Sequence, residues 1–255
     1  MDRTEMSSII TEKQIREISA YIQRWDEHMA IYFEKRVDVA GKRVLVVGSG
    51  WGTETLWALR RGAAFVCGID PRSDERAYVE RCLTDAGQSG LASRFELHAT
   101  TATEIGDIGT FDLILTNNTF EHVFGLSANL SAMSRFIPNP GSRIYMLAGP
   151  LFLSSTGHHM PVGPWDHLTM SQADLRAKVS PLQWGEYRDG LNGMTITDLL
   201  GAVREAGLIV TELSVLLDPN VGQLPTMLAN LPSALKPMDL AMQGISCTLA
   251  FPRNL

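Results

Sequence analysis

A chain of 255 residues that is 45% hydrophobic and 20% charged can bury a sizeable core, so a globular protein rather than a disordered one is the starting expectation. Its 22 basic residues against 28 acidic ones leave a net charge of -6, and this argues against a nucleic-acid partner, because phosphate binding needs clustered Lys and Arg. Three scattered cysteines, no apolar leader in residues 1–10 and no apolar run of membrane-spanning length lead us to expect a cytoplasmic protein without a disulfide framework or a membrane span.

Residues 11–33 place Ile15, Ile18, Ile22, Trp25, Met29 and Tyr32 at steps of three and four. That spacing predicts an amphipathic helix with Thr11 as N-cap, covering a sheet face or closing over a ligand. Arg43-Val44-Leu45-Val46-Val47 is a mostly apolar run ending in glycines, as suits a parallel strand buried on both faces. A helix over 53–61, a strand over 65–69, a helix over 72–85 and a strand over 95–98 follow. Next come a strand over 111–115, a helix over 128–136 that stops before Pro138, and a strand over 143–147. This alternation predicts a mostly parallel sheet with helices on both faces.

Regularity lapses over 151–193, which carries three histidines, two tryptophans and several Gly and Pro residues. A connection that long is usually functional or a small cap. Residues 195–206 predict a helix capped by Thr195 or Thr197 and stopped at Gly207. A strand over 208–217, a second irregular stretch over 218–243 broken by four prolines, and an edge strand over 245–251 complete the chain. The expected organisation is a helical cap over 1–40, a core over 41–150, a substrate-side insert over 151–193, and the remaining core over 194–255.

Between the first strand and the first core helix stand Gly48, Ser49, Gly50, Trp51 and Gly52. A glycine-rich turn there lets backbone approach a ligand, and the helix N-terminus adds free N–H groups. A dinucleotide fingerprint would put its third glycine at position 53, where Thr53 stands. Asp70 ends the second strand, where a carboxylate can accept both hydroxyls of a ribose; its other reading is a helix N-cap. Pro71 beside it offers a flat face to an adenine ring.

These residues resemble the class I S-adenosylmethionine (SAM)-dependent methyltransferases, particularly the small-molecule group with a Gly-x-Gly-x-Gly loop. Val44 through Gly52 is similar to that family's first motif and Gly68-Ile69-Asp70-Pro71 to its second. Phe111 through Val123, with Glu121-His122 near its end, is similar to the fourth-strand motif. The resemblance implies a Rossmann-like, seven-stranded α/β sheet with an N-terminal helix and an inserted cap after the fifth strand. It implies SAM as cofactor, with Gly48, Ser49, Gly50 and Gly52 lining its methionine part, Asp70 holding the ribose and Pro71 touching the adenine. Thr100 or Thr101 falls where the family has an Asp facing the adenine amino group, and Thr116 and Asn117 lie beneath the sulfonium. Glu121-His122 implies a pair that fixes the loop after the fourth strand, with His122 as base the alternative. Val46 departs from the family, which has an acidic residue there, and Ser49 stands where Cys or Ala is common.

Methyl transfer to a hydroxyl needs alignment and a base, and histidine is the base most available near neutral pH. His158, His159 and His167, with Asp166 as orienter, are the candidates from the insert. The same residues contain a two-histidine, one-carboxylate donor set. Adjacent histidines in a strand-like segment point opposite ways, however, so no metal is expected. A third reading has these histidines only satisfying backbone carbonyls. Trp165 and Trp184 are either a pocket wall or core. Residues 149–159, Pro164-Trp165-Asp166-His167-Leu168, Leu191-Asn192-Gly193-Met194-Thr195 and residues 235–240 resemble, more loosely, bacterial methyltransferases associated with surface glycans. That resemblance implies O-methylation of a small, saccharide-like acceptor. The rivals are a non-catalytic methyltransferase-like binding module and a nicotinamide oxidoreductase; a nucleic-acid base methyltransferase lacks its proline in Asn117-Asn118-Thr119-Phe120. The oligomeric state is not legible.

Overall fold

The computed structural model describes residues 11–72 and 76–252. Seven strands form one sheet in the order β3-β2-β1-β4-β5-β7-β6. They are β1 (Arg43–Val47), β2 (Phe65–Ile69), β3 (Phe95–His98), β4 (Leu113–Asn117), β5 (Arg143–Ala148), β6 (Ile209–Leu217) and β7 (Met242–Ala250). Contacts divide the chain into two compact units, Met1–Thr101 and Ala102–Leu255.

In the first unit β1, β2 and β3 pair in parallel, with Val44 opposite Val66 and Val66 opposite Phe95. Val44, Leu45 and Val46 are fully buried, as the unbroken apolar run predicts for a strand covered on both faces. Each such side chain contributes roughly 1.5–3 kcal/mol through burial. Helices α1 (Glu12–Phe33), α2 (Thr53–Arg60) and α3 (Arg76–Asp85) complete the unit, and α1 packs on the other two. Thr11 and Gln14 cap α1 reciprocally, the Gln14 N–H donating to Thr11 Oγ1 and the Thr11 N–H to Gln14 Oε1. Ile22, Met29 and Phe33 form its buried stripe, with Phe33 against Trp57. Trp25 and Tyr32 stand on an exposed shoulder instead, and Ser19 and Asp26 take the buried positions. Asp26 is neutralised there by Arg60 at 3.2 Å and Arg61 at 3.0 Å.

In the second unit β4 and β5 are parallel, while β7 runs antiparallel to both β5 and β6. The last strand is therefore interior, and the sheet edge on that side is β6, whose residues 211–217 are exposed. This corrects the expectation from the alternating pattern of residues 245–251. The fourth strand also begins at Leu113 rather than at residue 111. Phe111 is drawn off to pack edge-on against Phe136, and its N–H donates to the Phe136 carbonyl at 2.8 Å. Helix α4 (Leu126–Ser134) follows β4.

The insert after β5 is not irregular but a chain of short helices, α5 (Asp166–Thr169), α6 (Gln172–Lys178) and α7 (Pro181–Gly185), followed by a wide turn over Glu186–Gly190. Ser171 and Ser180 cap α6 and α7. Helices this short show no 3.6-residue stripe, which is why the sequence pattern passes over them. Helix α8 (Ile196–Glu205) starts at a Thr195–Asp198 capping box and ends at Gly207, φ +70°. Residues 218–243 likewise contain α9 (Leu224–Met227) and α10 (Pro237–Leu240). No described helix is long and apolar enough to cross a membrane.

Candidate functional site

The glycine turn of the first unit is built by left-handed backbone at Gly48 (φ +77°), Gly50 (φ +48°) and Gly52 (φ +91°). The Ile69 carbonyl accepts both the Gly48 and Ser49 N–H groups, at 2.8 and 3.0 Å, so the turn is strapped to the end of β2. A Cβ on Gly52 would lie 2.3 Å from Val79 Cγ2, whereas one on Gly50 would meet nothing within 4 Å. Gly52 is thus required for packing, and Gly50 borders open space. Ser49 turns inward: its hydroxyl is buried, and a Cβ on Gly68 would touch it.

Asp70 is 4% exposed. Its Oδ2 accepts the Gly50 N–H at 3.1 Å and its Oδ1 the Arg72 N–H at 2.8 Å. Each carboxylate oxygen has a further lone pair available, so the group can hold the turn and still accept two hydroxyls. The His98 carbonyl accepts the N–H groups of both Asp70 and Thr100, which brings Thr100 beside Asp70. Thr101 is half-buried and Pro71 is exposed. Val46, at the position of the family's acidic residue, is fully buried. Trp51 extends from the turn, 46% exposed, and meets Tyr21 of α1 edge-on at 5.5 Å. The aromatic shoulder of α1 thus stands beside the turn, while the opposite face of the helix covers the core.

In the second unit Thr116 and Asn117 are the last residues of β4; Thr116 is fully buried. After them Asn118 (φ +47°) bends the chain into a tight turn, Phe120–His122. Glu121 is 1% exposed; its Oε1 accepts the Gly149 N–H at 3.1 Å and its Oε2 has no hydrogen-bond partner. Burial pushes its pKa up to about 8. His122 Nδ1 lies 2.7 Å from the Gly190 carbonyl. Asn192 clamps the turn by donating from Nδ2 to the Phe120 and Val123 carbonyls.

The insert brings His158 to this turn, its ring edge-on to that of His122 at 4.7 Å. His158 Nδ1 is 2.7 Å from the Pro150 carbonyl, and its Nε2 is 3.9 Å from Glu186 Oε1. Burial holds its pKa below the ordinary histidine value, so the ring is neutral at pH 7. His159, exposed, stacks a tilted ring 5.1 Å from that of His158. The two do not lie in a strand, as the sequence pattern suggests: both have left-handed backbone, φ +56° and +67°, which places their rings together rather than on opposite faces. A non-glycine residue so placed costs roughly 1–2 kcal/mol.

His167 and Asp166 are engaged elsewhere. His167 is 1% exposed, its Nε2 lies 2.7 Å from the Phe152 carbonyl, and Gly157 packs so closely that a Cβ there would fall 2.6 Å from the ring. Burial pushes its pKa down. Asp166 Oδ2 accepts the Gly163 N–H at 3.1 Å. Trp165 is core, packed with Leu224, Leu231 and Leu240, whereas Trp184 is half-buried and stacks on Tyr187. The meeting of Glu121, His122 and His158 is what sequence reasoning misses, since the histidines are far apart in the chain. The faint signal for it is the Gly149-Pro150 exit from β5 followed by paired histidines.

The methyltransferase-domain family matches residues 45–145. No curated protein sequence matches the chain. Among solved structures, it is similar to geranyl diphosphate C-methyltransferase from Streptomyces coelicolor A3(2), bound to Mg2+, geranyl diphosphate and S-adenosyl-L-homocysteine. That likeness has 14% identity and a TM-score of 0.58, over 97% of this chain and 87% of that one. The 4+2 cyclase SpnF shares 17% identity over 90% of this chain and 82% of its own, with a TM-score of 0.57. A SAM-dependent methyltransferase from Mesorhizobium loti shares 14% identity over 89% and 99%, with a TM-score of 0.52. The chain therefore has the class I SAM-dependent methyltransferase fold, and the family match lies on the strands that carry the glycine turn and the Glu-His turn.

Proposed function

We propose that the protein transfers a methyl group from SAM to a hydroxyl of a small, saccharide-like molecule. A fold does not specify a reaction, and one of the similar structures is a cyclase, so the reading rests on the site. The observation that carries it is the pairing of the open space over Gly50 with the buried Asp70 carboxylate that braces the same turn. Backbone curling at Gly48 and Gly50 suits the amino-acid tail of SAM, Asp70 its ribose hydroxyls, Pro71 its adenine and Thr100 or Thr101 the adenine amino group. Thr116 and Asn117, ending β4, are assigned to the sulfonium side.

When bound, SAM supplies a methyl group already activated on sulfur, so the chain's task is alignment and deprotonation. We assign the deprotonation to His158 and His159, and to Asp166 and His167 the holding of the loop that presents them. His158 is neutral near pH 7, with Nδ1 tied to the Pro150 carbonyl and Nε2 keeping its lone pair. The buried Val46 favours a second reading, a binding module that holds the nucleoside weakly and transfers nothing. Incubation with SAM and a panel of sugars and small alcohols, read as S-adenosylhomocysteine formed, decides between them. Methyl transfer that falls with Asp70→Asn supports the enzyme; tight binding of a nicotinamide dinucleotide in place of SAM overturns it.

A further inference from the structure

The Glu-His turn after β4 and the insert after β5 bring Glu121, His122 and His158 together, with one ligand atom from each all within 4.8 Å of one another. Both imidazoles are held from behind in the same manner, by the Gly190 carbonyl and by the Pro150 carbonyl. A carbonyl only accepts, so each Nδ1 donates to it, and Nε2 is the nitrogen each ring has left to offer a ligand. A backbone carbonyl that fixes tautomer and ring orientation is the usual support of a metal-binding histidine.

Glu121 supplies an independent observation. Its Oε2 is buried without a hydrogen-bond partner in a side chain 1% exposed. No ion pair among the described residues includes Glu121. A buried acceptor left in that state costs roughly 1–3 kcal/mol, more when charged, and a cation seated between it and two imidazoles removes the cost. Glu186, its Oε1 at 3.9 Å from His158 Nε2, adds a second, half-exposed carboxylate.

We infer that Glu121, His122 and His158 bind a first-row divalent transition-metal ion of the zinc type, with Glu186 or water completing its shell. Two imidazoles and a carboxylate suit such an ion; Mg2+ and Ca2+ take oxygen ligands. The left-handed backbone at His158 is the local strain by which the insert delivers that ring. Ion binding itself does not depend on the methyl-transfer reading. Only its use rests on the methyl-transfer reading: the ion polarises an acceptor hydroxyl, and because its Nε2 lone pair is then committed to the ion, His158 gives up the role of base to His159, outside the cluster.

The test is a titration of the chelator-treated full chain with Co2+, read by its visible absorption, and with Zn2+ by competition. S-adenosylhomocysteine affinity is measured on the same samples. One ion per chain is expected with a Kd on the order of 1 µM or tighter, uncontested by millimolar Mg2+. Glu121→Gln and His158→Asn weaken it about a hundredfold or more, while His28→Ala, at an exposed position of α1, leaves it unchanged. Glu121→Gln keeps the side chain's shape and its acceptor for the Gly149 N–H, and unchanged thermal unfolding verifies its fold. Absence of Co2+ binding, or equal affinity in wild type, Glu121→Gln and His158→Asn, overturns the site. Co2+ binding without S-adenosylhomocysteine binding upholds it and overturns the methyl-transfer reading instead.

Discussion

Gly50 and Gly87 make a matched pair for testing the cofactor turn. Both have left-handed backbone, φ +48° and +67°, and at both an added Cβ meets nothing within 4 Å. Alanine at either position brings the strain of a left-handed residue, roughly 1–2 kcal/mol, partly offset by the lower entropy of the unfolded chain. The net loss is about 1 kcal/mol. In a chain of 255 residues that lowers the melting temperature by about 2 °C. Only at Gly50 does the new methyl group enter the space assigned to the methionine tail. Calorimetry with S-adenosylhomocysteine should therefore find Gly50→Ala weakened about tenfold or more, a loss of about 1.4 kcal/mol, with Gly87→Ala binding as wild type does. Equal affinity in the two variants, with both folded, refutes the placement of the ligand over Gly50.

Other outcomes follow from the same geometry. Gly52→Ala forces Val79 aside and should cost about 1–3 kcal/mol beyond the strain at φ +91°, read by chemical denaturation. Asp26→Ala leaves Arg60 and Arg61 without their shared partner and should lower stability by about 2–3 kcal/mol while S-adenosylhomocysteine affinity stays unchanged. His167 is held neutral by burial, its pKa below the ordinary 6.5. On acidification through 6.5 the unfolded chain takes up a proton that the folded chain refuses, so stability falls as pH drops toward the folded pKa. His167→Gln, which can still donate to the Phe152 carbonyl, should flatten that slope. His159→Ala should retain ion and cofactor binding yet lower turnover of the acceptor, and full turnover would remove His159 as base.

The core was legible in the sequence because its signals are local. Val44-Leu45-Val46-Val47 before glycines, and Phe65 to Ile69 before Asp70, mark strands whose bounds the structure reproduces. Asp70 and Gly50 fall together because the order β2-β1 is built into the alternation of strand and helix. Where a contact is long-range, the pattern fails. Phe111 belongs by composition to the fourth strand, but Phe136 draws it away. The strand over 245–251 alternates as an edge would, yet β6 takes the edge. The paired histidines mislead most, because left-handed backbone at residues other than glycine leaves no trace in composition. Trp165 shows the same limit: the sequence leaves it open between a pocket wall and core, and only the packing of Leu224, Leu231 and Leu240 makes it core.

The most direct test of the account is a crystal structure grown with S-adenosylhomocysteine. The amino-acid tail should lie along Gly48 to Gly52, with both ribose hydroxyls within hydrogen-bond distance of the Asp70 carboxylate. Density for the nucleoside at any other place, with the space over Gly50 filled by protein side chains, would contradict it.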